Sequence, residues 1–223
     1  MKRIVLLLCL FVLGLPVFAQ TDFERHNFSM NAGYAYKFAS DHTSVFSNMN
    51  DKSHSDGMKH GYELEFDYDY RFHKYFSVGF KASMANFLHS VDVEVLGDDG
   101  AVADETSFSD DMNLFYVGPT FKFQLPTIAE RYDIWARGTV GYMNMRNTSK
   151  QVQTETYKGD CFAYGLGVGV DYILTSFISV GLSADFLGGN ISSLKAGDDS
   201  FDISSDKENI GRMNIAFGVR IRL

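Results

Sequence analysis

The chain has 223 residues, of which 15% are aromatic and only 3 are proline, a composition typical of an ordered protein rather than a disordered one. Its formal net charge of −8 excludes a general nucleic-acid-binding protein, which needs a basic surface. Phe (20), Tyr (12) and Gly (20) are all abundant. This combination suits strands with one apolar and one polar face better than a conventional buried core.

The N-terminus has the pattern of an export signal. Lys2 and Arg3 precede an apolar run over residues 4–18, and Val17-Phe18-Ala19 forms a small-residue cleavage site. We therefore predict a signal peptide at residues 1–19 and a single domain at residues 20–223. Removal of the signal peptide changes the net charge from −8 to −10. It also removes Cys9, so that Cys161 is left without an intramolecular disulfide partner.

Eight segments of the remaining chain alternate between apolar and polar side chains, which predicts strands because successive side chains of a strand point to opposite faces. The predicted strands are 27–38, 60–72, 76–87, 112–123, 132–145, 157–173, 177–187 and 210–223. Two residues fit less well. Pro119 removes a ladder donor from the fourth strand, and Trp135 falls on the polar side of the fifth.

The second strand has the strictest alternation. One face is aromatic and aliphatic, the other ionic: Tyr62, Leu64, Phe66, Tyr68, Tyr70 and Phe72 against Glu63, Glu65, Asp67, Asp69 and Arg71. A soluble sheet would turn the apolar face toward a core. A membrane barrel would turn it toward lipid.

The connections between the predicted strands alternate in length. They are short after strands two, four and six, and long and polar after strands one, three, five and seven. Outer-membrane barrels sort their connections in this way, with tight periplasmic turns and long outer loops. About 12 residues per strand at roughly 3.3 Å each, tilted by about 40°, give a height of roughly 30 Å, enough for the apolar band.

Aromatic residues cluster at two levels, as they do at the two membrane interfaces. The predicted periplasmic girdle is Phe28, Tyr70, Phe72, Tyr75, Phe76, Phe121, Phe123, Tyr132 and Tyr172, and the predicted outer girdle is Tyr36, Phe38, Tyr62, Phe115, Tyr142 and Phe186. The alternative is a secreted lipocalin-like barrel with its apolar faces inward. An eight-stranded barrel has too little interior room for these bulky faces. The sequence therefore predicts an all-β, closed, antiparallel, up-and-down transmembrane barrel of eight strands.

Two tracts carry a resemblance to a known family. Residues 116–123 read YVGPTFKF and residues 218–223 read GVRIRL. With the signal peptide and eight strands, they resemble the small outer-membrane β-barrel family common in Gram-negative bacteria of the Bacteroidota type. The resemblance covers the mature chain and implies insertion by the barrel assembly machinery. One departure is Leu223, since such barrels usually end in an aromatic residue.

The polar faces place many charges inside a narrow lumen, where each needs a counter-charge. The predicted lumen network is Glu63, Glu65, Asp67, Asp69, Arg71, Lys81, Lys122, Asp133, Arg137, Asp185, Arg212, Arg220 and Arg222. Lys37 also points inward. If residues 73–75 close a hairpin, Asp67 lies opposite Lys81, and across the next turn we expect Lys122 to face Asp133. We interpret the network as a plug rather than an ion path.

Other constellations carry weaker signals. Histidines 42, 54, 60 and 89 have no recognised metal-ligand spacing, and the acidic pairs 98–99, 104–105, 110–111 and 198–199 lack the pattern of a calcium loop. We predict no metal and no cofactor. Some barrels of this size modify lipid A, and His89-Ser90 lies near the outer rim. Neighbours on a strand point to opposite faces, however, and a nucleophile must contact its base.

The function predicted from these features is a non-enzymatic barrel of a Gram-negative outer membrane, a surface platform for lipopolysaccharide contact, adhesion or envelope integrity. The expected partners are outer-membrane lipid, lipopolysaccharide and the assembly machinery, with no nucleic acid, and the expected state is a monomer. The alternatives are a lipid A-modifying enzyme and a narrow solute channel.

Overall fold

The computed structural model describes residues 24–38, 58–96, 102–126, 128, 131–150, 154–196, 199–203 and 207–223. The predicted signal peptide therefore lies outside the described residues. The strands are β1 (His26–Lys37), β2 (His60–His73), β3 (Phe76–Leu96), β4 (Val102–Gln124), β5 (Tyr132–Lys150), β6 (Thr154–Ile173), β7 (Ile178–Ile191), β8 (Ser193–Ala196), β9 (Asp199–Asp202), β10 (Glu208–Asn209) and β11 (Arg212–Arg222). Among these residues, no helix is long and apolar enough to cross a membrane.

Eight of the strands form a closed antiparallel ring. Strands β1 to β7 pair in chain order, and β11 closes the ring because it pairs with both β1 and β7. The last backbone contact of this seam joins the two ends of the barrel chain, with His26 and Leu223 exchanging N–H···O bonds of 2.8 and 2.7 Å. The predicted eight-stranded up-and-down barrel is confirmed.

The apolar faces point outward. Phe162 is 69% exposed and Leu166 is 68% exposed on β6, whereas Glu63 on β2 is 1% exposed. This inversion of the soluble pattern is the one that a lipid environment requires. It excludes the lipocalin-like alternative, in which the apolar faces would fill the interior.

Rings pack together at both ends of the apolar band. On the periplasmic side Phe76 lies 5.7 Å from Phe121 between ring centroids, and Tyr132 lies 5.3 Å from Tyr172. On the outer side Phe38 lies 5.9 Å from Phe186. The first two contacts join adjacent strands, and the third reaches across β11 from the end of β1 to β7; such contacts are expected within an aromatic girdle.

Two hairpins extend beyond the predicted membrane-spanning strands. Within the polar segment 88–111, the alternation of residues 90–96 predicts an extension of the hairpin, and β3 and β4 stay paired as far as Leu96 and Val102. Strands β5 and β6 likewise pair as far as Lys150 and Thr154. Continued pairing satisfies the backbone N–H and C=O groups of these polar segments, which explains why they form strands.

The extended hairpins join into one sheet beyond the apolar band, called here the outer sheet. It consists of the ends of β3 to β6 together with β8 and β9, because β8 pairs with the outer end of β6 and β9 pairs with β8. The predicted fourth outer loop, 188–209, therefore contains additional strands. The outer sheet is the largest element of the described chain that the membrane-spanning barrel does not need.

Pro119 interrupts the barrel wall locally. The β4–β5 ladder pairs Val117 with Tyr142 and then Thr120 with Thr139, with no pairing in between. Thr139 compensates by donating a 2.9 Å hydrogen bond from Oγ1 to the Pro119 carbonyl. On the lipid side, an open depression of about 540 Å³ lies over this point.

Glycines on the inner face of β6 make room for bulky neighbours. A Cβ at Gly169 would lie 2.2 Å from Cζ2 of Trp135, and a Cβ at Gly167 would lie 2.1 Å from Oδ1 of Asp185. The nearly bare face of β6 therefore accepts the side chains of β5 and β7 that fill the lumen.

Candidate functional site

The centre of the lumen holds a compact cluster of ionised side chains. Arg137 contacts three carboxylates: Nη2 lies 2.5 Å from Glu65 Oε1, Nη1 lies 2.8 Å from Asp67 Oδ1, and Nη2 lies 2.8 Å from Asp185. Lys81 adds contacts of 2.5 Å to Glu65 and 3.3 Å to Asp185. Two buried cations and three buried carboxylates from four strands thus contact one another across the barrel.

The predicted pairing of Asp67 with Lys81 is correct as a register but not as an ion pair. The two residues are direct cross-strand partners. The ammonium group of Lys81 instead bonds Glu65 and Asp185, while Asp67 bonds Arg137 and accepts a 3.1 Å hydrogen bond from Ser29. The curvature of a small barrel brings non-neighbouring strands into contact, so ion pairs cross the lumen instead of following the ladder.

The periplasmic end of the lumen has its own ion pairs. Lys122 contacts Asp69, and Arg222 contacts Asp133 at 2.7 Å. The expectation that Lys122 faces Asp133 is therefore wrong. The β4–β5 register places Lys122 opposite Arg137, because Gln124 at the end of β4 pairs with Trp135 and the first residues of β5 lie beyond this pairing.

Two further arginines complete this end. Arg71 donates to the Gln124 side chain, and Arg220 contacts Asp171. The space among Asp69, Arg71 and their neighbours leaves no volume for a water molecule.

Toward the outer end, the charges become fewer. Arg212 lies 3.6 Å from Glu63 and donates a 2.9 Å hydrogen bond to the hydroxyl of Ser83. Asn214 donates a 2.7 Å hydrogen bond to the same glutamate. All the predicted lumen residues are buried inside the barrel.

Trp135 is the main lumen residue that sequence reasoning did not assign. Its indole N–H donates a 2.9 Å hydrogen bond to Asp171, and its ring lies 4.8 Å from Lys122 Nζ and 5.1 Å from the guanidinium carbon of Arg137. Cations favour the face of an indole ring. The placement of Trp135 on the polar side of its strand was the available signal.

A second feature that the sequence analysis missed is an apolar core in the outer end of the lumen. Its buried side chains include Met58, Phe87, Met112, Leu114, Tyr116, Met143, Met145, Leu187, Ile191, Leu194 and Ile210. Lys37 is buried among them, with Nζ 3.5 Å from Met112 Sδ. The inner faces of β4 and β5 are apolar from Tyr116 to Met112 and from Met143 to Met145, a change of pattern that was visible in the sequence. The lumen thus contains charged side chains toward the periplasmic end and apolar side chains toward the outer end.

The arrangement around His89 does not form a hydrolytic site. His89 shares the strand face of Phe87, whereas Ser90 is exposed on the opposite face. In the ladder Asp110 pairs with His89 on one side and with Ser149 on the other. Two strand spacings, about 10 Å, therefore separate the backbones of His89 and Ser149, and Asp110 lies between them.

The histidines and acidic pairs that were considered as metal ligands can be placed only in part. His42 and His54 lie outside the described residues, as do the acidic pair 98–99 and residue 198. His60 contacts the Tyr34 hydroxyl on the outward face of the barrel wall, whereas His89 lies on the inward face of β3. Within the ranges that the structure describes, no three His, Cys, Asp or Glu side chains are grouped to hold a metal ion.

The family described as outer membrane protein beta-barrel domain matches residues 5–222. The chain belongs to this family. Family and fold together locate it in the outer membrane of a Gram-negative bacterium. Its resemblance to the Bacteroidota-type members remains a prediction. No curated protein matches the sequence.

Several solved barrels are similar to this one. Neisserial surface protein A is 12% identical with a TM-score of 0.52, covering 89% of this chain and 97% of its own. A major outer membrane protein from Thermus thermophilus has the same identity and TM-score and covers 89% and 99%. The attachment invasion locus protein Ail of Yersinia pestis is 16% identical with a TM-score of 0.47, covering 89% and 99%. At these identities the likeness concerns the fold alone.

Proposed function

We propose that this outer-membrane protein is a non-enzymatic, non-conducting barrel that acts through its outer sheet. The observation that carries the proposal is the contrast between the two ends of strands β3 to β6. Their membrane-spanning parts enclose a filled lumen, while their outer parts continue as a paired sheet well beyond the apolar band. A filled interior supports no solute path, and the additional strands supply a stable surface for contacts outside the membrane.

The surface role includes contact with lipopolysaccharide or another ligand and maintenance of the envelope. The expected partners are outer-membrane lipid and the assembly machinery that inserts the barrel, and the expected state is a monomer. Leu223 is 64% exposed at the end of the last strand and is the residue that this machinery would meet in place of an aromatic one.

The proposal is tested by shortening the outer sheet. Residues 91–108 are replaced by Asn-Gly, which joins the cross-strand partners Ser90 and Ser109 with a two-residue hairpin turn. We expect the shortened protein to insert and to retain heat-modifiable gel mobility, but to leave a deletion strain as sensitive to detergents and bulky antibiotics as the empty vector does. Full complementation by the shortened protein would refute a function in this hairpin.

The enzymatic alternative has a separate test. Lipid A from the deletion strain and from the complemented strain is compared by mass spectrometry. We expect identical acyl and phosphate patterns, because the serine and histidine candidates do not meet. An acyl-trimmed species that appears only in the complemented strain would establish a lipid-modifying activity instead.

A further inference from the structure

Three exposed cations lie side by side on the outward face of the outer sheet. Arg146 of β5 is the direct cross-strand partner of Lys158 of β6, and Lys158 is the direct partner of Lys195 of β8. All three side chains are exposed. Side chains of direct partners have their Cβ atoms about 5 Å apart. These residues, called here the cation row, therefore concentrate three positive charges on three adjacent strands of an acidic protein.

The cation row is not neutralised by the part of the chain that the structure describes. There, no carboxylate forms a salt bridge with Arg146, Lys158 or Lys195. Asp160 lies two residues from Lys158 on the same face and is the nearest acid along that strand, while Asp111 is bound by the amides of its own neighbours. Like charges placed directly opposite one another destabilise a sheet, so an anion bound from outside the chain would relieve the repulsion within the row.

The height of the cation row matches that of lipid headgroups. The last outward-facing aromatic residues of β5 and β6 are Tyr142 and Phe162, which are direct partners and are 47% and 69% exposed. Arg146 and Lys158 lie four residues farther out, about 13 Å along the strand at roughly 3.3 Å per residue. With a tilt near 40°, this is roughly 10 Å above the aromatic girdle that marks the interface.

The outer sheet holds the row in a fixed position. Behind it, Met145 and Leu194 belong to the buried apolar core. Gly159, next to Lys158, is packed so closely that a Cβ there would lie 2.8 Å from Cγ2 of Ile191. A backbone fixed in this way presents its cations to a ligand without an ordering cost for the strands.

We propose that the cation row binds the phosphate groups of a phosphorylated glycolipid in the outer leaflet. An arginine guanidinium donates two parallel hydrogen bonds to phosphate oxygens, and the lysines add ammonium groups beside it. A diphosphorylated lipid offers two anionic groups to three cations spaced along the row. This inference deepens the proposed surface function, on which it rests, by naming a lipid that the outer sheet contacts.

The test uses the full-length protein purified in detergent and titrated with diphosphoryl lipid A, monophosphoryl lipid A, fully dephosphorylated lipid A and inorganic phosphate, with binding followed by native mass spectrometry. The test variant carries R146Q, K158Q and K195Q. The control variant removes the same amount of positive charge at exposed sites outside the row, with K74Q, R131Q and K207Q. Heat-modifiable mobility verifies that both variants fold.

We expect the wild-type and control proteins to bind diphosphoryl lipid A at least tenfold more tightly than the test variant does. Both proteins should also bind diphosphoryl lipid A more tightly than they bind the dephosphorylated lipid, as expected for several basic side chains near anionic headgroups. Equal binding by the test and control variants would overturn the assignment of the row. Equal binding of the dephosphorylated lipid would overturn the role of phosphate. Competition by inorganic phosphate as effective as that by the lipid would assign the row to a free anion and overturn the lipid.

This outcome is independent of the hairpin replacement described above. The test variant keeps residues 91–108, so loss of lipid binding with full complementation would leave the proposed function standing with a different ligand. If the hairpin-shortened protein binds the lipid but does not complement the deletion strain, the hairpin has a function that does not depend on lipid binding by the cation row.

Discussion

Arg137 binds Asp185 through two parallel hydrogen bonds, each 2.8 Å long, from Nε to Oδ1 and from Nη2 to Oδ2. The two residues come from β5 and β7, which are separated in the barrel wall by the glycine-rich strand β6. This bidentate contact closes over Gly167, where any side chain would collide with the carboxylate. Arg137 of β5 thus connects β7, on the other side of the glycine-rich strand β6, with the acidic face of β2.

Replacing this cation should destabilise the barrel strongly. Arg137→Met leaves Glu65, Asp67 and Asp185 with Lys81 as the only cation of the central cluster, and breaking a buried ion pair from one side costs about 3–5 kcal/mol. The free energy of unfolding is measured by urea titration of the protein in phospholipid vesicles. The matched control is Arg146→Met in the outer sheet, which is exposed and should change that free energy by less than about 0.5 kcal/mol. Similar losses of unfolding free energy in both variants would show that the central cluster contributes no more stability than an exposed arginine does.

A second prediction concerns the close approach of Trp135 to β6. Gly169→Ala places a methyl group on the indole ring, and overpacking of this kind costs about 1–3 kcal/mol. Gly138→Ala is the control, because its Cβ would meet no atom nearer than Leu166 Cδ2 at 3.9 Å. We expect only the first substitution to lower the midpoint of urea unfolding, and the loss to shrink in a Trp135→Phe background. A loss that is unchanged without the indole would contradict the assigned contact.

The apolar core of the outer lumen makes a third prediction. Leu114 is fully buried there, so Leu114→Ala should leave a cavity and cost about 2–5 kcal/mol. Leu166 is 68% exposed to the lipid side, and Leu166→Ala opens no cavity. The unfolding free energy should therefore fall considerably more for the Leu114 variant. A larger loss of unfolding free energy for the Leu166 variant would contradict the placement of the apolar core around Leu114.

The sequence predicts the barrel because two physical signals repeat along it: strict alternation of side chains and connections sorted by length. It predicts which charges lie inside because strand parity decides that. The partners of those charges could not be predicted. Asp67 and Lys81 are neighbours in the ladder, yet each bonds residues across the lumen, and these contacts depend on barrel curvature and stagger, which parity does not encode.

The outer sheet gives a second reason why the sequence does not predict the whole structure. Alternation at residues 90–96 indicates an extended hairpin, but the polar composition of residues 88–111 does not show how far the pairing continues, because a paired hairpin satisfies its backbone regardless of side-chain polarity. The cation row became visible only from the register, since Arg146, Lys158 and Lys195 are far apart in sequence and lie on three strands.

The central claim, that the protein is a filled barrel acting at its outer surface, is tested most directly by conductance across planar lipid bilayers. The purified full-length protein is reconstituted beside a porin as a positive control. We expect no stable unitary conductance from the protein under conditions in which the porin gives regular steps, because ion pairs and an apolar core lie inside the lumen. Reproducible, ion-selective steps from the protein, altered by Arg137→Met, would contradict the claim and make the lumen a solute path.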